Sequence, residues 1–129
     1  IDAAHNPAGV DALRTYLEDA FPGRKRTVVF GLHQSKDIKA MTRAVSMLAD
    51  NCYYCEWDSA WAAPYQDVTH YAQGTIAPWS ADTEFPQDEL VVITGSIYFL
   101  GYVKSRLDQI GRNHKVNHKV SHKVSESYL

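Results

Sequence analysis

Two short apolar runs constrain this chain most. "RTVVFGL" (26–32) and "ELVVITGS" (89–96) are rich in β-branched residues and each carries a glycine at its end. Each is followed by a stretch of helical period. Ile38, Met41, Val45 and Leu48 follow the first, and Leu100, Val103, Leu107 and Ile110 follow the second. Short buried strands leading into helices mean βαβ units, hence a mostly parallel sheet with helices on both faces. The fold class expected is α/β, a Rossmann-like three-layer α/β/α arrangement.

The other segments fit that frame. Asn6 is a good helix N-cap and Pro7 suits the first helical position. Val10, Leu13, Leu17 and Phe21 make one stripe, and Pro22-Gly23 stops it. The predicted order is a helix from Pro7, a strand over 26–32, a helix over 37–49 and a strand over 51–57. A short helix near 64–73 and an irregular connection come next, then a strand over 90–94 and a helix over 97–110 ending at Gly111. Ile1-Asp2 reads as the tail of a first strand that is truncated. The opening without an initiator methionine is the expectation for a piece of a longer protein. Two units are expected: a domain over 1–111, and a tail over 112–129. The tail repeats a four-residue unit, "NHKVNHKVSHKV" (113–124), and is read as a solvated low-complexity extension or a marginal helix. If helical, it would place His114, His118 and His122 on one face at metal-binding spacing.

Composition excludes several classes. With 13 basic and 15 acidic residues the net charge is −2, so no bulk attraction draws the chain to nucleic acid or an anionic membrane. No apolar run approaches the ~20 residues of a membrane span. Cys52 and Cys55 form a Cys-x-x-Cys in a strand-like run, where residues three apart point to opposite faces. They are read as buried, reduced structural cysteines of a cytoplasmic protein, with redox or metal use as the alternative. No Gly-x-x-x-x-Gly-Lys-Ser/Thr is present to cradle a nucleotide triphosphate. No metal ligands are assigned.

In an open parallel sheet all strand-to-helix turns emerge at the carboxyl edge, where ligands bind beside helix N-termini. "DAAHNP" (2–7), "GLHQSKD" (31–37) and "TGSIY" (94–98) are the three such turns. They would bring Asp2, His5, Ser35, Lys36, Asp37, Ser96 and Tyr98 to one edge. Asp2 can accept from a ribose diol, His5 and Ser96 can donate to a carboxylate, and Lys36 can balance charge. The plain alternative is that Asn6, Asp37 and Ser96 only cap helices and Lys36 is a solvated cation.

"IDAAHNPAGVDAL", "VVFGLHQSKDIKAM" and "LVVITGSIYFLGYVKSRL", in this order, resemble the C-terminal domain of folylpolyglutamate synthase/dihydrofolate synthase, a branch of the Mur ligases. The matched pattern is Asp2, Ala4, His5, Asn6 and Pro7, then Gly31 with Lys36-Asp37, then Thr94-Gly95-Ser96. The stretches cover about half the chain. The resemblance implies an enzyme that joins glutamate to a folate carboxylate, with ATP activating that carboxylate as an acyl phosphate and Mg²⁺ bridging the phosphates. A central ATPase domain would hold ATP and Mg²⁺, and this lobe would close over it. Asp2 and His5 are then the catalytic candidates. Asp2, His5 and Asn6 would face the nucleotide, and Lys36, Asp37, Ser96 and Tyr98 the substrate. The lobe alone is expected to be inactive. The alternatives are a Mur ligase acting on cell-wall precursors, or a non-catalytic α/β interaction module. Ser35 departs from the pattern, standing where its loop has an Asp. The stretch from Trp57 to Leu90 is also short, and the tail has no counterpart.

Overall fold

The computed structural model describes residues 6–72, 74–80, 82–85 and 89–113. The elements run α1 (Pro7–Ala20), β1 (Arg26–Gly31), α2 (Ile38–Leu48), β2 (Asn51–Tyr54), α3 (Tyr65–His70), β3 (Ile76–Pro78), β4 (Leu90–Gly95) and α4 (Ile97–Asn113). Asp2, His5 and the tail histidines His114, His118 and His122 lie outside the described residues, as does the Ile1-Asp2 strand tail.

Every pairing among the four described strands is parallel, in the order β3-β2-β1-β4. β1 lies between β2 and β4, and five of its six residues are buried. That explains why its sequence is a continuous apolar run rather than an alternating one. Strand geometry then divides its side chains by parity. Val28 and Phe30 join Leu90 and Val92 in a core with Val10, Leu13 and Leu17 of α1, Met41 and Val45 of α2 and Val68 of α3. Val29 and Ile93 face the other way, into a second core with Phe99, Leu100 and Val103 of α4. Helices cover both faces of the sheet, which is the three-layer α/β arrangement the periodicity predicts. β1, β2 and β3 step one way across the sheet with α2 and α3 on one face, as crossovers of a single hand require. Burying each leucine of α1's stripe contributes about 1.5–3 kcal/mol. The loop between β3 and β4 fills the second face without a described helix. Trp57 and Trp79 are buried there, Trp57 lies 5.7 Å from Phe99, and Phe85 meets Tyr53 edge-on at 5.8 Å.

The cysteines behave as strand geometry demands. Cys52 packs against the first core, Cys55 is buried in the second, and both are free thiols.

Three boundaries differ from expectation. β2 ends at Tyr54 rather than running to residue 57. β3 was not foreseen: "IAP" is three residues long and closes on a proline, which fits an edge strand but carries no readable period. α4 continues through Gly111 to Asn113. A glycine inside a helix costs about 1 kcal/mol relative to alanine, which weakens a helix without forcing it to stop.

Candidate functional site

Because the strands are parallel, the turns after β1, β2 and β4 open on one edge. A pair of glycines joins two of them. Gly31 and Gly95 are in register, and the Ser96 N–H donates to the Gly31 carbonyl at 2.9 Å. Gly95 has φ +120°, and a Cβ there would sit 2.2 Å from that carbonyl oxygen. A Cβ on Gly31 would sit 2.4 Å from the Phe99 ring. Both positions need glycine for α4 to start directly over the end of β1.

Three of the sequence candidates cap helices. The Asn6 side-chain oxygen accepts from the Gly9 N–H at 2.7 Å, and Asp37 Oδ1 accepts from the Ala40 N–H at 3.1 Å. Ser96 Oγ accepts from the Tyr98 N–H at 3.3 Å, and Ser96 itself is buried. Each cap contributes about 1 kcal/mol by satisfying an orphan N–H. Each also leaves chemistry over. Ser96 retains its O–H as a donor, Asn6 its amide NH₂, and Asp37 its second oxygen.

The remaining candidates fall in two places. Lys36 and Asp37 line a cleft of about 470 Å³ between α2 and α3, with Lys39, Asp67 and His70. Tyr98 stands on the far side of β1, 72% exposed in the first turn of α4. Its ring centroid lies 6.4 Å from that of His33.

His33 and Trp61 are additions the sequence reading missed. Their rings stack at 5.6 Å with planes 28° apart. The backbone sets this contact. His33 and Ala62 form an antiparallel bridge, Gln34 N–H donates to Trp61 O at 2.7 Å, and Ala63 N–H donates to Leu32 O at 2.8 Å. Tyr54 ties the same two loops from below. Its hydroxyl donates to Ala63 O at 2.6 Å and accepts from Leu32 N–H at 3.3 Å. Burial pushes this phenol well above its ordinary pKa, so it stays a neutral donor. Ser35, which stands where the resembled loop has an Asp, turns to His33. Its backbone N–H donates to Nδ1 at 3.1 Å, and its Oγ lies 2.7 Å from the same nitrogen. A backbone N–H can only donate, so Nδ1 is the acceptor and the neutral ring carries its proton on Nε2. The only sequence signal for Trp61 was an indole among small and polar residues, in a stretch whose scattered aromatics and prolines gave no clear strand or helix.

A three-layer α/β domain with an all-parallel sheet among its described strands is of the doubly wound class, in which ligands bind at the carboxyl edge. Comparison with known proteins narrows the class. The chain is 26% identical over 116 residues to the dihydrofolate synthase/folylpolyglutamate synthase of Bacillus subtilis (strain 168), a match covering 83% of this chain and 27% of that protein. Its fold is similar to that of Helicobacter pylori folylpolyglutamate synthetase, with TM-score 0.73 and 16% identity over 84% of this chain and 29% of the other. It is similar also to the bifunctional folylpolyglutamate synthase/dihydrofolate synthase of Yersinia pestis, solved with AMPPNP and a Mn ion. There the TM-score is 0.72 and the identity 21%, over 84% of this chain and 28% of the other. No protein-family model matches the chain. The resemblance drawn from the three sequence motifs is thereby borne out, and the chain spans just over a quarter of the length of these relatives. No helix among the described residues is long and apolar enough to cross a membrane.

Proposed function

We propose that this chain is a lobe of an ATP-dependent ligase that joins glutamate to the carboxylate of a folate. The observation that carries the reading is the junction of two motif turns at one edge. The Lys36-Asp37 loop leaves β1 and the Thr94-Gly95-Ser96 turn leaves β4, and the Ser96 N–H to Gly31 O bond holds the two together. In this reading Lys36 balances a glutamate carboxylate and the free Ser96 O–H donates to it. Tyr98, across β1 from the Lys36 cleft, is the further substrate contact, and Asp37 holds the loop through its cap. Asp2 and His5 face the nucleotide and the incoming amine, with the Asn6 amide beside them.

ATP supplies the activation of the acceptor carboxylate when bound. Among the described residues no group of three His, Cys, Asp or Glu side chains is placed to hold a metal ion. In this reading Mg²⁺ and the phosphates belong to a central domain, as the resemblance implies, and without a Gly-x-x-x-x-Gly-Lys-Ser/Thr motif of its own the chain alone is inactive. Its free thiols, Cys55 buried and Cys52 partly so, suit the cytoplasm.

The test has two arms. The chain alone, given ATP, glutamate and dihydropteroate or a folate, yields no ATP-dependent product. In a full ligase carrying this lobe, Lys36→Ala and Ser96→Ala each raise the KM for glutamate about tenfold, the ~1.4 kcal/mol of one charge-assisted contact. Glutamate kinetics unchanged in both variants would refute the site. Turnover with cell-wall precursors instead of folates would move the reading to the other Mur ligases.

A further inference from the structure

We infer that His33, Trp61 and Tyr98 form a stacking platform for a planar heteroaromatic ring. Two features of these side chains point to a ligand. Trp61 is 62% exposed and Tyr98 72% exposed, yet Trp57 and Trp79 are buried. An indole left in water normally belongs to a mobile loop, but this one is fixed on both sides. Gln34 N–H donates to the Trp61 backbone carbonyl, Ser59 Oγ accepts from the Trp61 backbone N–H at 3.1 Å, and the His33 ring stacks on the indole. A rigid, solvent-facing aromatic surface loses little entropy when a second ring stacks on it.

The second feature is a directed polar group. Ser35 fixes His33 in the tautomer with its proton on Nε2, which places one N–H donor at the edge of the aromatic surface. A ring bearing nitrogen or oxygen acceptors uses both the stack and the donor; a plain hydrocarbon uses only the stack. The extent of the patch favours a small molecule over a protein. The adjacent Gln34, Ser35, Lys36, Asp58 and Ala60 are exposed and polar or small, and Met47 is the one other large hydrophobic side chain exposed among the described residues. A protein interface needs about 800 Å² per side with an apolar centre. The inference rests on the ligase reading only for its probes, since two of the three substrates of such an enzyme carry a planar heteroaromatic ring, the purine of a nucleotide and the pteridine of a folate.

The experiment is a titration of the full chain followed by the indole N–H resonances of its three tryptophans. The probes are adenosine monophosphate, pteroic acid and, as a ringless control, glutamate. At least one ring compound is expected to shift the Trp61 resonance saturably in the micromolar to millimolar range, leaving Trp57 and Trp79 in place; glutamate does not. The tighter probe identifies the source of the ring. By calorimetry, Trp61→Ala weakens binding at least tenfold, His33→Ala weakens it several-fold, and Trp61→Phe stays within about threefold of the parent. Unmoved Trp57 and Trp79 resonances verify that the variants fold. Absence of a saturable Trp61 shift with both ring compounds, or undiminished binding by Trp61→Ala, overturns the inference. Either result is independent of the glutamate KM, so the platform and the ligase reading fail separately.

Discussion

Removing one oxygen atom, in Tyr54→Phe, should loosen the whole carboxyl edge. The phenol ring is buried and packs edge-on to Phe30 at 5.0 Å, and phenylalanine keeps that contact. What disappears is the hydroxyl that donates to Ala63 O and accepts from Leu32 N–H. Both residues are buried, so the freed carbonyl and N–H gain no water in exchange. An unsatisfied buried group costs about 1–3 kcal/mol. The Leu32 bond is long, and the variant is spared the desolvation of the hydroxyl, so the net loss is about 2 kcal/mol. At roughly 2 cal/mol/K of unfolding entropy per residue, a chain of this size loses about 3–4 °C per kcal/mol. Tm should fall by about 7 °C in a circular-dichroism melt. The same hydroxyl braces the pairing of residues 32–34 with 61–63. Hydrogen exchange of the Gln34 and Ala63 amides should therefore quicken more than that of Val28 or Val92. A variant melting within about 1 °C of the parent, with Gln34 and Ala63 still protected, would refute the argument that this hydroxyl holds the edge.

Two further outcomes follow from the same geometry. Gly95→Ala should abolish soluble expression or lower Tm by more than 10 °C, because the added Cβ meets the Gly31 carbonyl at 2.2 Å and φ +120° is strained for alanine; a melt matching the parent would show that α4 can start elsewhere. Burial pushes Cys52 up to about 12 and Cys55 up to about 11, from an ordinary value near 9. Unfolded thiols thus lose their protons first. The stability tied to these thiols is fully present well below pH 9 and falls as pH rises from about 9 through about 12. The double variant Cys52→Ala/Cys55→Ala should show a shallower loss of Tm between pH 8.5 and 10.5 than the parent, and equal slopes would contradict the assignment.

Much of the scaffold was legible because it is written in local patterns. α1 carries its own cap, stripe and Pro-Gly stop between Asn6 and Gly23, and β1 and β4 are apolar runs long enough to have no other use. β3 was not legible because three residues hold no period; it exists only where β2 offers an edge. The site was half legible. Asn6, Asp37 and Ser96 stand at helix starts, and the sequence offers no way to separate a capping role from a binding one; the structure shows the caps. His33 and Trp61 were invisible for a different reason. They meet through a ladder between two loops separated by an entire helix and strand, and nothing near either residue announces it.

The pairing of β1 with β4 has a consequence for the chain while it is being made. The partners in that ladder, Arg26 with Leu90 and onward, lie more than sixty residues apart. Everything up to Pro78 can assemble from near neighbours, with α1, α2 and α3 closing one face. Until β4 and α4 emerge, the second face lacks Ile93, Phe99, Leu100 and Val103, and β1 presents an unpaired edge. At ribosomal speed that interval lasts several seconds. An exposed apolar edge of this kind pairs readily with other strands. A chain truncated near residue 80 should therefore aggregate rather than remain a soluble half-domain, and chaperone engagement should end abruptly once Val103 has left the exit tunnel.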